Sequence, residues 1–160
     1  MEIGLFRKAL EKIDKHTLMK VELNTSISKF FKDYQIPEDV ISFFKEFSFS
    51  ENLKFKHVYF NIVNEMPEEN LYEEHKRSVD NGLFIIGYGL NGDPIVIDLY
   101  TKKIGYIFHD ELWEDEDVNP REIHISLGCS VSQFYYNSVT IDDYPVDGNE
   151  AETFMESKVK

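Results

Sequence analysis

Residues 87–99 read GYGLNGDPIVIDL, a stretch in which three closely spaced glycines lead into a run of β-branched residues. Gly87, Gly89 and Gly92 have the G-x-G-x-x-G spacing of the dinucleotide-binding fingerprint. In a nucleotide-binding domain this motif comes after a strand and opens a helix whose N-terminus holds the pyrophosphate. The apolar residues 83–86, LFII, are typical of the preceding strand, so the interpretation depends on the segment after Gly92.

The chain after Gly92 lacks the features of a phosphate-binding helix. The segment between Asp93 and the polar turn at Thr101 is short and β-branched, whereas a parallel crossover needs about a dozen residues, usually helical. It also contains no lysine or arginine that would bind a phosphate. The sequence Asn91-Gly92-Asp93-Pro94 is instead typical of a turn, since glycine tolerates positive φ and the other three residues favour turns. We therefore expect two adjacent strands here and no nucleotide cofactor.

Two amphipathic helices are predicted ahead of these strands. The spacing of apolar residues over 27–34 predicts a helix that begins at Thr25 or Ser26. Pro37 then breaks the chain and opens a second helix, whose apolar stripe runs from Val40 to Phe47.

The rest of the chain alternates predicted strands with polar segments. A polar surface helix opened by Pro67 lies between the first two of these strands, and a final helix begins near Val131. Helices, then sequential strands, then a helix are typical of an α+β fold with a mostly antiparallel sheet flanked by helices. The predicted strands are residues 55–64, with Val58, Phe60 and Ile62 facing inward, and residues 83–86, 94–99, 104–109 and 122–127.

The chain is strongly acidic, because 17 Lys and Arg residues against 30 Asp and Glu residues give a formal charge of −13. A field of this sign repels nucleic acids and anionic membranes, and it attracts basic proteins. No stretch of the sequence approaches the ~18 consecutive apolar residues that a membrane span requires. The composition therefore predicts a basic protein partner and argues against nucleic-acid and membrane binding.

The acidic residues are concentrated in particular segments of the chain. Residues 110–117, DELWEDED, hold six carboxylates and no base, and residues 65–74 hold five glutamates. We interpret residues 110–117 as a solvated acidic loop. The single tryptophan, Trp113, lies inside this segment, and it is either a lid that packs on the core or an anchor for a partner.

Calcium coordination by the acidic segment is not supported by its spacing. An EF-hand loop beginning at Asp110 requires glycine at its sixth position and glutamate at its twelfth, where this chain has Asp115 and Arg121. We therefore expect no metal site in this part of the chain.

The histidines and the one cysteine do not form a recognisable catalytic set. The histidines lack spacings such as H-E-x-x-H, and His57, His109 and His124 are expected on strands. Cys129 precedes the final helix, whose dipole would lower its pKa, but no base or third group can be assigned to it. A lone cysteine and an N-terminal segment without an apolar signal region indicate a reducing cytoplasm. We expect a protein that is not an enzyme and holds no cofactor.

Four segments in this order resemble the SMI1/KNR4 family, also called the SUKH superfamily. Residues 36–47, IPEDVISFFKEF, resemble its helix opening, and residues 82–99, GLFIIGYGLNGDPIVIDL, resemble its central signature. Residues 104–111, IGYIFHDE, resemble the next strand of the family, and residues 130–139, SVSQFYYNSV, resemble its closing helix. The resemblance implies an α+β domain without a catalytic centre, in which Pro37, Gly92 and Asp93 are fold-defining positions.

The resemblance also implies a function in binding. Many bacterial members are immunity proteins that neutralise toxins, often nucleases, and fungal relatives are regulatory scaffolds. We expect an immunity protein that binds a basic toxin domain, with a regulatory scaffold or small-ligand sensor as the alternative. The residues expected to contact the partner are Glu111, Trp113, Glu114, Asp115, Glu116 and Asp117.

The domain organisation expected from the sequence has three parts. Residues 25–141 form the SMI1/KNR4-like domain. An N-terminal extension of residues 1–24 precedes it, with a helical apolar stripe from Ile3 to Ile13. An acidic tail of residues 142–160 comes after it.

Overall fold

The computed structural model describes residues 1–13 and 20–159. Over these residues the chain forms an antiparallel sheet with helices around it. The helices are α1 (Ile3–Leu10), α2 (Thr25–Asp33), α3 (Glu38–Glu46), α4 (Met66–Leu71), α5 (Glu73–Asp80), α6 (His109–Glu114), α7 (Val131–Thr140) and α8 (Gly148–Val159). The strands are β1 (Leu53–Phe55), β2 (Val58–Phe60), β3 (Leu83–Tyr88), β4 (Pro94–Asp98), β5 (Ile104–Ile107) and β6 (His124–Ser126).

The six strands lie in the order of the sequence, from β1 to β6, and every neighbouring pair is antiparallel. The predicted α+β class with a mostly antiparallel sheet is therefore confirmed. Strands β3 and β4 form the hairpin expected at the centre, with Leu83 opposite Asp98 and Tyr88 opposite Pro94. Residues 89–93, all described, join the two strands without a crossover helix, so the glycine spacing does not open a phosphate-binding helix.

Two of the glycines in this hairpin have distinct physical roles. A β-carbon at Gly87 would lie 1.8 Å from the carbonyl oxygen of Tyr59 on β2, so only glycine lets the two strands approach. A bulge in the β3–β4 register lies between Ile85 and Gly87. Gly92 has φ +96° in the turn, a conformation that side chains rarely adopt. Sheet geometry thus accounts for the glycines that imitate a nucleotide motif.

The core lies mainly on one face of the sheet and is rich in phenylalanine. The ring of Phe6 in α1 lies 5.0 Å from Phe43, 4.5 Å from Phe47 and 5.7 Å from Tyr135, measured between centroids. Each fully buried side chain of this kind contributes roughly 1.5–3 kcal/mol. The opposite face carries a smaller cluster, whose members are Leu83, Ile85, Val96, Ile107, Leu112 and Ile123.

Helices α2 and α3 have the boundaries that the sequence predicts. Asn24 caps α2 through its side chain, which accepts a hydrogen bond from the backbone N–H of Ile27. Pro37 immediately precedes α3. Glu38 and Asp39 occupy the first turn of this helix, where their negative charges interact favourably with the helix dipole.

Three local predictions were wrong. The strand expected over residues 55–64 forms only at β2, where Val58 and Phe60 are buried as predicted. Lys56 takes a positive φ of 54° and turns the chain from β1, while Ile62 lies beyond β2 and is only half-buried. His57 lies in that turn and His109 begins α6, so neither is on a strand. The single polar helix expected after Pro67 is two helices, α4 and α5, separated at Tyr72.

The segments at both ends of the chain pack on the core. Helix α1 contacts α7, and its Phe6 is fully buried. Helix α8 contacts β5 and β6 and buries Ala151, so α7 is not the final helix as predicted. Residues 14–19 of the expected N-terminal extension lie outside the described residues. No helix in the described ranges is long and apolar enough to cross a membrane.

We expect Gly87→Ala to lower the free energy of unfolding by about 3 kcal/mol or more, because its methyl group overlaps the β2 backbone. Gly4→Ala is the matched control, since Gly4 is exposed on α1 and nothing lies within 4 Å of the point that its methyl group would occupy. That change should raise the stability by up to about 1 kcal/mol, because alanine favours helix. Urea unfolding of both variants tests this, and equal stabilities would contradict the close approach.

Candidate functional site

Two acidic segments that are far apart in the sequence meet on one face of the molecule. Helices α5 and α6 contact each other, and the Trp113 ring lies 6.4 Å from the His75 ring and 5.6 Å from the His109 ring. The Tyr72 ring lies 5.7 Å from the His75 ring, measured between centroids. We call this region the Trp113 surface. It comprises the rings of Tyr72, His75, His109 and Trp113, with Glu65, Glu68, Glu69 and the carboxylates of residues 110–117 around them.

The six residues expected to contact a partner are all exposed on this surface. The expected acidic loop is only partly a loop, because residues 109–114 form α6 and only the later acids lie outside it. Asp110 and Glu111 lie in the first turn of α6, where their negative charges interact favourably with the positive end of the helix dipole. Leu112 is fully buried and anchors the helix on the sheet. Trp113 is 55% exposed, so it is not a buried lid.

Arg77 of α5 holds the chain that leaves α6. Its guanidinium donates hydrogen bonds to the carbonyl oxygens of Asp115 at 3.0 Å, Glu116 at 2.7 Å and Val118 at 3.1 Å. It also donates to the carbonyl oxygen of Leu112. The bond to Leu112 satisfies a carbonyl in the last turn of α6, and the other three hold the residues that come directly after the helix. Arg77 therefore fixes the position of the acidic segment.

Arg121 secures the far end of the same segment. Its Nε donates to the carbonyl oxygen of Asn81 at 2.8 Å, and its guanidinium pairs with the buried carboxylate of Asp98 at 2.9 Å. Burial alone would raise the pKa of Asp98. The hydrogen bonds from Arg121, the Tyr100 backbone and Thr101, together with the charge of Arg121, outweigh burial and lower that pKa from 3.8 to about 2. Asp98 is consequently ionised at neutral pH.

Asp93 ties the turn before β4 to two helix N-termini. Its Oδ1 accepts hydrogen bonds from the backbone N–H of His109 at 3.0 Å and from His109 Nδ1 at 2.7 Å. Its Oδ2 accepts from the backbone N–H of Gly148, at the start of α8, at 2.8 Å. Burial would raise the pKa of Asp93, yet these hydrogen bonds lower it overall. The carboxylate is 1% exposed and joins β4, α6 and α8.

His109 is held between two carboxylates. Its Nε2 lies 2.9 Å from Asp110, while its Nδ1 faces Asp93. Both ring nitrogens therefore have carboxylate neighbours. The geometry suits the support of Trp113, whose ring meets the His109 ring edge to face at 83°.

A pocket of about 400 Å³ adjoins Trp113 and is lined by Glu65, Glu68, Glu69, Tyr72 and His75. Tyr88 donates a hydrogen bond to the Glu69 carboxylate from the floor of this region. The hydrogen bond with His75 is the largest influence on Glu69 and lowers the pKa of that carboxyl. Burial raises the pKa of Tyr88, so its hydroxyl stays protonated as the donor.

A second depression of about 640 Å³ lies beside α8. Its wall includes Leu90, Tyr144, Val146 and Phe154, and carboxylates of residues 142–143 lie at its edge. Leu90 is 61% exposed. This groove is more apolar than the pocket beside Trp113.

The remaining candidate residues do not assemble into a centre. Burial raises the pKa of Cys129, contrary to the lowering expected from a helix dipole, and its sulfur lies 3.5 Å from the Tyr144 hydroxyl. Burial lowers the pKa of His124 on β6. Within residues 1–13 and 20–159, no group of three or more His, Cys, Asp or Glu side chains is arranged to hold a metal ion.

Sequence reasoning named Trp113 and its acidic neighbours but missed the residues that position them. Arg77 and His75 belong to a segment that reads as a polar surface helix. Arg77 acts on backbone carbonyls, which every residue carries, so no sequence pattern marks its partners. The cluster of glutamates at 65–74 was the available signal for the second half of the surface.

Replacing Arg77 by alanine removes the side-chain donor of four carbonyl oxygens, of which that of Asp115 keeps a backbone hydrogen bond from Val118. We expect Arg77→Ala to cost about 3 kcal/mol and to accelerate amide hydrogen exchange over residues 112–118. Lys76→Ala is the control, since Lys76 makes an exposed pair with Asp80 and its loss should change stability by about 0.5 kcal/mol or less. Similar exchange rates in the two variants would contradict the role of Arg77.

Asp98 makes stability depend on pH in the acid range. Its folded pKa of about 2 lies below its ordinary value of 3.8, so its contribution is present above pH 4 and is lost as the pH falls toward 2. We expect the difference in unfolding free energy between the wild type and Asp98→Asn to shrink by about 2 kcal/mol over that range. Urea unfolding at several pH values measures it. A difference that stays constant over this range would contradict the role of the Asp98–Arg121 pair.

Comparison with models of known protein families, with characterised proteins and with solved structures gives no significant match to this chain. Its most distinctive feature is the Trp113 surface, where exposed aromatic rings stand among carboxylates from two separate segments.

Proposed function

We propose that this protein binds a basic protein domain stoichiometrically through the Trp113 surface and carries out no catalysis itself. In this proposal the partner is a toxin, of the nuclease type, and the protein is a cytoplasmic immunity protein that neutralises it. The observation that carries the proposal is the meeting of two acidic segments around the exposed rings of Trp113 and Tyr72.

The composition of the surface fits what stable protein interfaces use. A few aromatic side chains supply most of the binding energy once they lose water, and charged residues at the rim steer the encounter. Trp113 and Tyr72, 55% and 57% exposed, are suited to the first role. The carboxylates of residues 114–117 are suited to the second, since they are exposed beside Trp113.

A nuclease is a suitable partner on electrostatic grounds. Such an enzyme needs a basic groove to bind phosphates, and a surface dense in carboxylates is complementary to that groove. The net charge of −13 acts in the same direction over a longer range. The resemblance of four sequence segments to the SMI1/KNR4 family supports the same assignment, because immunity proteins are common in that family.

A small-ligand sensor is the second candidate function, and the groove beside α8 favours it. Its volume of about 640 Å³ is within the range of ligand sites, and its wall combines apolar side chains with carboxylates. A thermal-shift screen with nucleotides and metabolites separates the two functions. A sensor would be stabilised by its ligand, whereas an immunity protein would respond only to its protein partner.

The direct test uses a basic toxin domain encoded beside this protein. We expect the two purified proteins to form a one-to-one complex in which the toxin loses its activity. Trp113→Ala should weaken the complex by at least about 2 kcal/mol, which is roughly 30-fold in Kd. Leu90→Ala is the matched control, because Leu90 is similarly exposed but lies at the groove beside α8.

Rim charges should act on the rate of association. Neutralising Glu114, Glu116 and Asp117 together should slow association about tenfold at low salt and change dissociation little. Stopped-flow measurements at two salt concentrations check this prediction. A complex that forms without loss of toxin activity, or one weakened by Leu90→Ala and not by Trp113→Ala, would overturn the proposal.

A further inference from the structure

We propose that the groove between α2 and α3 binds an aliphatic carboxylate, a small molecule with one apolar chain and one anionic end. The groove has a volume of about 430 Å³, which is within the range of ligand sites. It shares no lining residue with the pocket beside Trp113 or with the groove beside α8, so the inference goes beyond the proposed function. We call it the α2–α3 groove.

The floor of the α2–α3 groove is apolar. Phe31 of α2 and Ile36 of the following turn lie in it and are almost fully buried, at 4% and 5% exposure. Leu23 and Ile41 line it as well, and these two side chains pack on the core but remain only half-buried. An alkyl chain laid on Leu23 and Ile41 would cover apolar surface that water now reaches. The floor therefore favours a ligand with an apolar body.

Two lysines, one from each helix, line the same groove. Lys32 lies in the last turn of α2 and Lys45 in the last turn of α3, and both are exposed. Among residues 1–13 and 20–159, Lys32 forms no ion pair, and Lys45 pairs only with Glu38, at 4.0 Å. Both members of that pair are more than 60% exposed, and so long a contact in water is weak. Both ammonium groups consequently keep donors for a ligand.

The local charge of the groove is opposite to that of the whole chain. Its lining holds two lysines and one glutamate, whereas the chain has a formal charge of −13. Carboxylates elsewhere have limited influence here, because physiological salt screens interactions between exposed charges beyond about 8 Å. An anion is therefore attracted at this groove and repelled by most of the remaining surface.

A carboxylate is the anionic group that suits these donors. It has two oxygens, each able to accept hydrogen bonds, and the two lysines supply one ammonium group apiece. The exposed side-chain amide of Gln35 lies in the same lining and offers a neutral donor besides. An organic cation with the same apolar chain would meet repulsion from both lysines.

The test titrates the full protein, labelled with ¹⁵N, with octanoate below its critical micelle concentration. Octanol has the same chain without charge, octylammonium has the opposite charge, and acetate has the charge without the chain. We expect amide shifts confined to residues 23–45. Octanoate should bind about tenfold more tightly than octanol, since two exposed lysines each contribute about threefold. Octylammonium should bind more weakly than octanol at this groove, and acetate should give no measurable shifts.

Variants locate the binding within the groove. Lys32→Gln and Lys45→Gln should each weaken octanoate binding about threefold and leave octanol binding unchanged. Ile41→Ala should weaken both ligands alike, because it removes apolar contact and no charge. Lys29→Gln is the matched control, since Lys29 is exposed on α2, pairs with Asp33 and does not line the groove. Far-UV circular dichroism and urea unfolding verify that each variant is folded.

Each contrary result overturns a stated part of the inference. Octanol binding as tightly as octanoate, or equal losses in Lys29→Gln and Lys32→Gln, would refute recognition of the carboxylate. Shifts centred on Leu90 and Phe154 would place the ligand in the groove beside α8 and refute the assignment to the α2–α3 groove, as would the absence of saturable binding. Trp113→Ala should bind octanoate like the wild type, so failure of the immunity function would leave this inference intact.

Discussion

The buried carboxylate of Asp93 joins three parts of the molecule: the turn before β4 and the N-termini of α6 and α8. It lies at the start of β4 and accepts hydrogen bonds from the first residues of α6 and α8, where helix dipoles favour a negative charge. An unpaired carboxylate in this interior would cost several kcal/mol, so the hydrogen bonds make the ionised form tolerable. Helix α6 carries Trp113. The position of the candidate binding surface therefore depends on the ionised Asp93 side chain in the turn of the central hairpin.

The Trp113 surface gathers like charges, which destabilises the isolated protein. Carboxylates from residues 65–69 and 110–117 repel one another, and Arg77 holds the second group in place through its backbone rather than by neutralising its side chains. The carboxylates accordingly remain available. A basic partner would relieve the repulsion when it binds, so part of the binding free energy would come from repulsion already present in the free protein.

The parts of the fold that have regular periodicity were predictable from the sequence. Helices α2 and α3 and the β3–β4 hairpin have apolar residues at helical or alternating spacing, and these patterns report directly on burial. Helix α6 was not predicted because Leu112 is its one buried apolar residue and acidic residues surround it in the sequence, so no apolar stripe with helical spacing is visible. The β1–β2 turn depends on a lysine with positive φ, which sequence rules do not anticipate. The meeting of the two acidic segments depends on tertiary contacts between α5 and α6, for which the local sequence carries no signal.

The strands at the two edges of the sheet are only three residues long. Short edges offer few free backbone groups, so another chain has little template on which to add a strand. In the proposed function, recognition of a partner therefore falls to side chains, whose identity can vary while the sheet stays unchanged. A protein built this way is able to display exposed aromatic rings at high concentration without joining its copies edge to edge.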